Sequence, residues 1–319
     1  MTKKTRHLKA DIVLKNYWRD NERFADLFNA VLYGGEQVIG PEELEDADTE
    51  ESYVLEHGNH AESIQAARDN IKVRKRSSVH GVEYVLLGNE AQEHVHYAMP
   101  MRVMGYDYGT YKNQYDRNAE SYKTTEGMDR DEFLSKMRRT DKLMPVITLV
   151  VYYGEKPWDG ATTLHGMLDI PTETARYVND YKILLVEARR NDLTFHHADN
   201  LDLFNLLEII LDRSISGREA REKAVRYGAE HNTGKSVIMT VAGVTNSGLD
   251  YADLEKGEKG MCSLFEELAK DAEAKGIVEM GVDFGLSVDA ISYRLQNKLG
   301  VSSQQAQEYL EEFGVEATI

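Results

Sequence analysis

The sequence is poor in cysteine, proline and basic residues, and these shortages narrow the classes of protein it can belong to. Among 319 residues there are one cysteine, five prolines, and 38 lysines plus arginines against 55 aspartates plus glutamates, so the formal net charge is −17. The lone Cys262 excludes an internal disulfide framework and a cysteine-based zinc site, and it predicts a reducing, cytoplasmic location. The negative charge opposes non-specific attraction to nucleic acid, so DNA binding would require a local basic surface.

Long hydrophobic runs are also absent. No stretch approaches the roughly 20 uninterrupted apolar residues that a membrane-spanning helix needs, and no apolar signal core follows the basic opening residues 1–9. The sequence therefore predicts a soluble protein with no membrane partner. A hydrophobic content of 41% is enough for a sizeable core, and the length allows one large or two modest domains.

Hydrophobic periodicity predicts a chain in which helices and strands alternate, which is typical of an α/β fold. Residues 11–32 carry apolar side chains at helical spacing and predict one long helix, ended by Gly34 and Gly35. Residues 40–63 are acidic and rich in turn formers, and they predict a solvated loop. Predicted strands cover 71–76, 82–92, 145–153 and 181–186, and further helices cover 100–111, 130–138, 202–213, 219–227, 288–299 and 303–313.

The change in composition beyond residue 235 predicts a domain boundary. We expect a larger domain over residues 1–235, and an acidic linker with a small helical region over residues 236–319. The last two predicted helices form either a helix-turn-helix or a self-association module. The second of them carries Glu308, Glu311 and Glu312 without a basic residue, which favours protein contact or packing, including homo-oligomer formation, over insertion into a major groove.

Two acidic residues, Asp69 and Glu90, lie at the open end of the predicted hairpin formed by the strands 71–76 and 82–92. Asp69 opens the first arm, while Glu90 and Gln92 stand two residues apart at the end of the second, so their side chains share one face of the strand. If the arms pair, the two carboxylates and the carbonyl of Ala91 converge into an open site for a hard cation such as Mg²⁺. By spacing alone the pattern is weak, because acidic residues at strand ends are usually only solvated.

Longer stretches of sequence are more specific. The segments RDNIKVRK and GVEYVLLGNEAQEHVHYAMPMRVMGYD resemble the hairpin and following helix of the Rpn family of recombination-promoting nucleases and putative transposases. The segment DIVLKNYWRDNERFADLFNAVLYGG is similar to the first helix of that family, and MPVITLVVYYGEKPWDGATTLHGML to a later core strand and the residues after it. The resemblance covers roughly residues 10–235. It implies a PD-(D/E)XK restriction-endonuclease-like core, a mixed central sheet flanked by helices, with a helical C-terminal region.

The resemblance also implies an activity and a set of residue roles. The family belongs to the PD-(D/E)XK nuclease superfamily, so the implied activity is metal-dependent hydrolysis of DNA phosphodiester bonds, linked to recombination or transposition. Asp69 and Glu90 match the metal-binding acids, with Mg²⁺ as the cofactor and Mn²⁺ as its substitute. Gln92 stands where the wider superfamily has a lysine. A neutral amide orients water by hydrogen bonds but cannot accept its proton, so Gln92 is not a general base.

Neighbouring residues offer further, less specific candidates. His94 and His96 continue the alternation after Gln92 and would add a proton acceptor or ligand if the strand persists. The preferred interpretation is that the strand has ended and that His96 caps the next helix or packs beneath it. In the first helix, Glu22 or Asp26 would support the metal, depending on the helix rotation, but the preferred interpretation is that both are solvated helix carboxylates without a special role. His196 and His197 are interpreted as structural.

Basic residues suited to contact DNA phosphates occur in two groups. Lys72, Arg74, Lys75 and Arg76 lie on the hairpin, while Lys136, Arg138, Arg139 and Lys142 precede the apolar strand. The alternative is a solvated edge strand whose cations resist aggregation. Our first hypothesis is a Mg²⁺-dependent DNA endonuclease. The competing hypothesis is a catalytically impaired nucleic-acid- or protein-binding module on the same fold.

Overall fold

The structure is a computed structural model that describes residues 10–46, 50–57, 60–67, 70–74, 82–88, 95–122, 127–154, 156–190, 192–245 and 261–313. Within these residues it is a mixed α/β protein, mostly helical. The helices are α1 (Ala10–Tyr17), α2 (Asn21–Tyr33), α3 (Met99–Ser121), α4 (Arg130–Ser135), α5 (Ala198–Leu211), α6 (Gly217–His231), α7 (Lys235–Val244), α8 (Met261–Asp283), α9 (Val288–Leu299) and α10 (Ser303–Glu312). None of the described helices combines the length and the apolar character that crossing a bilayer requires.

In the part of the chain that the structure describes, seven strands form two sheets. They are β1 (Leu44–Asp46), β2 (Glu50–His57), β3 (His60–Ala67), β4 (Asn70–Arg74), β5 (Val82–Gly88), β6 (Val146–Tyr152) and β7 (Leu184–Glu187). The main sheet has the order β1-β4-β5-β6-β7, and β2 pairs with β3 separately. β1, β4 and β5 are antiparallel neighbours, whereas β5, β6 and β7 run parallel. Helix α3 lies in the crossover that the parallel pair β5–β6 requires.

The register of the main sheet defines one edge that matters below. Asn70 pairs with Leu86, and Gly88 pairs with Val151. The beginning of β4 and the ends of β5, β6 and β7 therefore lie together. We call this the carboxyl edge.

Contacts within the chain divide it into two units. The sheet unit comprises Trp18–Ala188 and Asp192–His197. The helical unit comprises Met1–Tyr17, Arg189–Asn191 and Ala198–Ile319. The two units differ from the predicted division at residue 235. That boundary rests on the composition of the sequence and stays a prediction.

Strand β6 is an interior strand of the main sheet, and its sequence is almost wholly apolar. Residues 149–152 are fully buried, as expected of a strand covered on both faces. Helix α3 packs Met99 and Val103 against Val150 and Ile183. Each fully buried side chain of this kind stabilises the fold by roughly 1.5–3 kcal/mol.

The helical unit gathers helices from both ends of the chain. Its last three helices share a buried apolar cluster that includes Ile291, Leu295 and Leu310. The side chain of Ser287 accepts a hydrogen bond from Ala290 N at the start of α9, and Ser302 caps α10 in the same way. The helices predicted over 288–299 and 303–313 are confirmed to within one residue.

Two local predictions were wrong. The single helix over 11–32 is broken between α1 and α2, because the Asp20 side chain accepts hydrogen bonds from Glu22 N and Arg23 N and starts a new helix there. The predicted loop over 40–63 contains β1, β2 and part of β3. In β1 the acidic Asp46 is held in the sheet by pairing with Lys72 of β4.

Candidate functional site

The residues that carry the predicted metal site are Asp69, Glu90, Ala91 and Gln92, and they lie outside the described residues, as do Lys75, Arg76 and His94. The strands next to them in sequence are described. β4 begins at Asn70, directly after Asp69, and β5 ends at Gly88, two residues before Glu90. Both strand ends belong to the carboxyl edge, because Asn70 pairs with Leu86.

Lys72 is placed differently from the sequence expectation. It was expected on an exposed basic surface, but its side chain is 1% exposed. Its Nζ donates hydrogen bonds to Arg19 O at 2.8 Å, to Asn21 Oδ1 at 2.6 Å and to Asp46 Oδ1 at 2.6 Å. All three ammonium protons are thereby used, so this side chain is not offered to a phosphate. Arg74 lies in β4, paired with Val82.

The buried ammonium of Lys72 connects three elements. It joins β4 to β1 through Asp46 and to the beginning of α2 through Arg19 and Asn21. Nζ also lies 5.6 Å from the ring centroid of Phe24 in α2. A buried charge is tolerated only when it is paired and fully hydrogen-bonded, which is the case here. Lys72 therefore fixes the first turn of α2 beside β4, close in sequence to Asp69.

Three metal-ligating side chains meet at that first turn of α2. Ligand atoms of Asp20, Glu22 and His197 all lie within 4.8 Å of one another. His197 Nε2 lies 3.5 Å from Glu22 Oε2, and the two acids are exposed. His197 was interpreted as structural, and the spacing of residues along the chain gave no sign of this contact, because Glu22 is far away in sequence. Exposed groups of this kind are common in proteins without an ion, so the cluster alone does not identify a metal.

The rotation of α2 separates its two candidate acids. Asp26 is 3% exposed, and its Oδ1 accepts a hydrogen bond from His196 N at 2.8 Å. Glu22 is exposed beside His197 instead. Asp26 therefore holds the segment 192–197 against α2, and Glu22 is the acid of this helix that is available to a ligand.

His96 lies three residues before α3 and outside any strand, which agrees with the preferred interpretation that the strand has ended before it. Its carbonyl accepts a hydrogen bond from Met99 N at 3.0 Å. Its ring Nδ1 is buried, without a hydrogen-bond partner among the described residues. Burial, and next the positive charge of Arg102, lower the pKa of His96 below its ordinary value. The neutral ring is therefore favoured, in a packing position.

The second basic group lies after α4. Lys136, Arg139 and Lys142 are exposed. Arg139 pairs with Asp129 at 3.4 Å, and the Arg138 guanidinium lies 4.9 Å from the ring centroid of Tyr122. An exposed ion pair of this kind is worth little and exchanges readily with another anion. These cations remain available for contact with phosphate.

A buried polar network fastens α3 to the sheet. Asp107 of α3 is 6% exposed and accepts hydrogen bonds from the hydroxyls of Thr148 in β6 and of Tyr181. Burial, and next the hydrogen bond to Asp107, raise the pKa of Tyr181 well above its ordinary value. Further along α3, the hydroxyl of Tyr111 accepts a hydrogen bond from Val146 N. The orientation of α3 about its own axis is therefore fixed.

Comparison of the chain with models of known protein families, with curated proteins and with solved structures found no match. The likeness to the Rpn family rests on the sequence alone, and membership of that family stays a prediction.

Proposed function

We propose that this protein is a Mg²⁺-dependent DNA endonuclease with a PD-(D/E)XK-like core. Asp69, Glu90 and the carbonyl of Ala91 hold the metal, and Gln92 orients the attacking water. The single observation that carries the proposal is the register of β4 and β5. It brings Asn70, the neighbour of Asp69, to the same sheet edge as Gly88, two residues before Glu90.

Donors of a suitable type occur elsewhere in the sheet unit. Lys72 ties the beginning of α2 to β4, and the beginning of α2 carries Glu22 beside His197. Carboxylate oxygens are the ligands that a hard divalent cation prefers, and an imidazole nitrogen is also accepted by Mn²⁺. The two carboxylates proposed at the carboxyl edge, Asp69 and Glu90, therefore fit Mg²⁺ or Mn²⁺ by their chemistry. When bound, such a cation lowers the pKa of a coordinated water and neutralises charge on the phosphate.

The residues of this chain supply binding and orientation. Asp69 and Glu90 hold the cation and leave positions open for water and phosphate. Gln92 forms a hydrogen bond with the attacking water but cannot take its proton, so that proton must go to another acceptor. Lys136, Arg139 and Lys142 are exposed cations that suit contact with the DNA backbone, whereas Lys72 is not part of that surface.

The test is cleavage of supercoiled plasmid by purified wild type and Glu90→Ala, each with Mg²⁺, with Mn²⁺ and with EDTA. Removal of a carboxylate ligand should lower the rate by orders of magnitude. Glu120→Ala is the matched control, because Glu120 is an exposed acid of α3. Metal-dependent nicking by wild type and Glu120→Ala, lost in Glu90→Ala, supports the proposal. Equal nicking by Glu90→Ala would refute the assigned site.

Titration with Mn²⁺ tests the metal site without relying on catalysis. Wild type should bind the ion and Asp69→Ala should not. A folded wild type that neither binds Mn²⁺ nor cleaves plasmid would exclude the nuclease proposal and favour a binding module on the same fold.

A further inference from the structure

Large exposed side chains occupy one face of the first half of α3 and the turn that precedes it. Tyr97, two residues before the helix, is 64% exposed, and within the helix Met101 is 53%, Met104 37% and Tyr108 53% exposed. The three helical residues stand three or four residues apart, which is the spacing that puts side chains on one side of a helix. We call these four residues the α3 stripe.

The α3 stripe is held outward by the opposite face of the same helix. Met99 and Val103 are 2% and 1% exposed and pack against Val150 and Ile183. Asp107 anchors the same face through Thr148 and Tyr181. Rotating the stripe inward would require breaking this buried network. Met101, Met104 and Tyr108 are therefore displayed to solvent by a rigid support, and Tyr97 lies in the turn next to them.

Charge around the α3 stripe differs from that of the chain as a whole. The chain has a net charge of −17. Yet between residues 95 and 112, apart from His96, the exposed or half-exposed charged side chains are Arg102 and Lys112, both basic. The one acid in this range, Asp107, is buried. Two acids outside this range approach the stripe: Lys112 Nζ pairs with Asp116 one turn further along α3, and Tyr97 Oη lies 3.4 Å from Asp159 Oδ2. An exposed ion pair such as that of Lys112 is worth little and exchanges readily with another anion, so Arg102 and Lys112 suit contact with an anionic partner.

The α3 stripe begins at the carboxyl edge. Tyr111 and Gln114, in the second half of α3, bond to Val146 and Met144 at the beginning of β6. Met99, at the start of α3, packs in the cluster that contains Val150, near the end of β6. α3 therefore runs antiparallel to β6, and its first turn lies where the parallel strands end. This is the edge at which Asp69 and Glu90 are proposed to bind the metal.

We infer that the α3 stripe binds unpaired bases of a single DNA strand, whose phosphates contact Arg102 and Lys112. The inference rests on the proposed function, because it leads that strand to the proposed metal site. Aromatic side chains stack on any base, so such a platform tolerates every sequence, while the cations follow the backbone.

The test measures binding of a fluorescent single strand of about 20 nucleotides by anisotropy, in EDTA so that no cleavage occurs. The double variant Tyr97→Ala/Tyr108→Ala should weaken binding about 30-fold, from loss of two stacking contacts. Tyr97→Phe/Tyr108→Phe keeps both rings and should bind within about twofold of wild type. Tyr293→Ala, at a residue that is 69% exposed in the helical unit, is the matched control and should bind like wild type.

Two further measurements separate stacking from general attraction. A blunt duplex of the same length should bind more weakly than the single strand and should respond little to loss of the tyrosines. Arg102→Gln should reduce the slope of log affinity against log salt by roughly 0.7, the value for one phosphate contact on a single strand.

Several outcomes would overturn the inference. In the first, Tyr97→Ala/Tyr108→Ala binds the single strand within twofold of wild type and still cleaves plasmid. This result would refute the role of the α3 stripe but not the proposed nuclease activity. A wild type that binds no single strand also overturns the inference, and absence of metal-dependent cleavage as well would remove both proposals. A change in sedimentation on loss of the tyrosines, without a change in DNA binding, would assign the face to self-association.

Discussion

Substitution of Lys72 by methionine tests whether the sheet unit depends on one buried cation. The change keeps most of the apolar stem but leaves Arg19 O, Asn21 Oδ1 and Asp46 Oδ1 without their donor. Breaking a fully buried ion pair costs about 3–5 kcal/mol. Because the Asp46 side chain is 61% exposed and regains water, we expect Lys72→Met to lower the free energy of unfolding by about 2–3 kcal/mol.

The assay is urea unfolding followed by tryptophan fluorescence. Both tryptophans, Trp18 and Trp158, belong to the sheet unit, so their emission reports on that unit. A loss of this size should move the midpoint by roughly 1–2 M urea. Lys112→Met is the matched control, because Lys112 is 43% exposed and pairs with Asp116 one turn away, which is worth about 0.3–0.5 kcal/mol. Equal losses in the two variants would refute the role assigned to Lys72.

Two other predictions concern the helical unit and the start of α3. Gly276 and Gly281 both lie inside α8: Gly276→Ala should raise stability by up to about 1 kcal/mol because its surroundings are open. Gly281→Ala should lower the stability by about 1–3 kcal/mol, because a Cβ there would lie 2.6 Å from Cγ1 of the buried Ile291. Thermal melting followed by circular dichroism measures the stability of both variants. If both variants were more stable than wild type, the packing described here would be contradicted. At His96 the lowered pKa means that the unfolded chain binds the proton more tightly, so stability should fall as the pH drops through the ordinary value of 6.5 towards the lower folded value. Denaturation at several pH values should show a weaker dependence in His96→Gln, and an unchanged dependence would show that burial of this ring has no such effect.

Local patterns predicted the elements whose signals lie within a few residues. The apolar run at 145–153 contains β6, and Pro100 stands in the first turn of α3. Ser287 and Ser302 stand at the starts of α9 and α10, where each side chain accepts a hydrogen bond from the backbone amide three residues further along. The break before α2 had a signal of the same kind in Asp20, which the longer apolar pattern concealed.

The candidate site was less predictable, because it depends on contacts between distant segments. The burial of Lys72 requires oxygens from residues 19, 21 and 46, and nothing in the alternation of β4 reveals them. His197 meets Glu22 only after the segment 192–197 is placed by the buried Asp26. Charge on a strand was a poor guide to exposure, because a lysine with three acceptors is stable inside the protein.

The order of the two units along the chain has a consequence for synthesis. α1 leaves the ribosome before α7, the helix on which it packs with Val13 beside Gly243, and the whole segment 18–188 is made between them. Domains generally fold as they emerge, so the sheet unit is expected to fold while α1 still waits for its partner. A fragment ended at residue 235 would keep α1 but lack nearly all of α7. The apolar side of α1 would then be exposed, and such a fragment should aggregate more readily than the full chain.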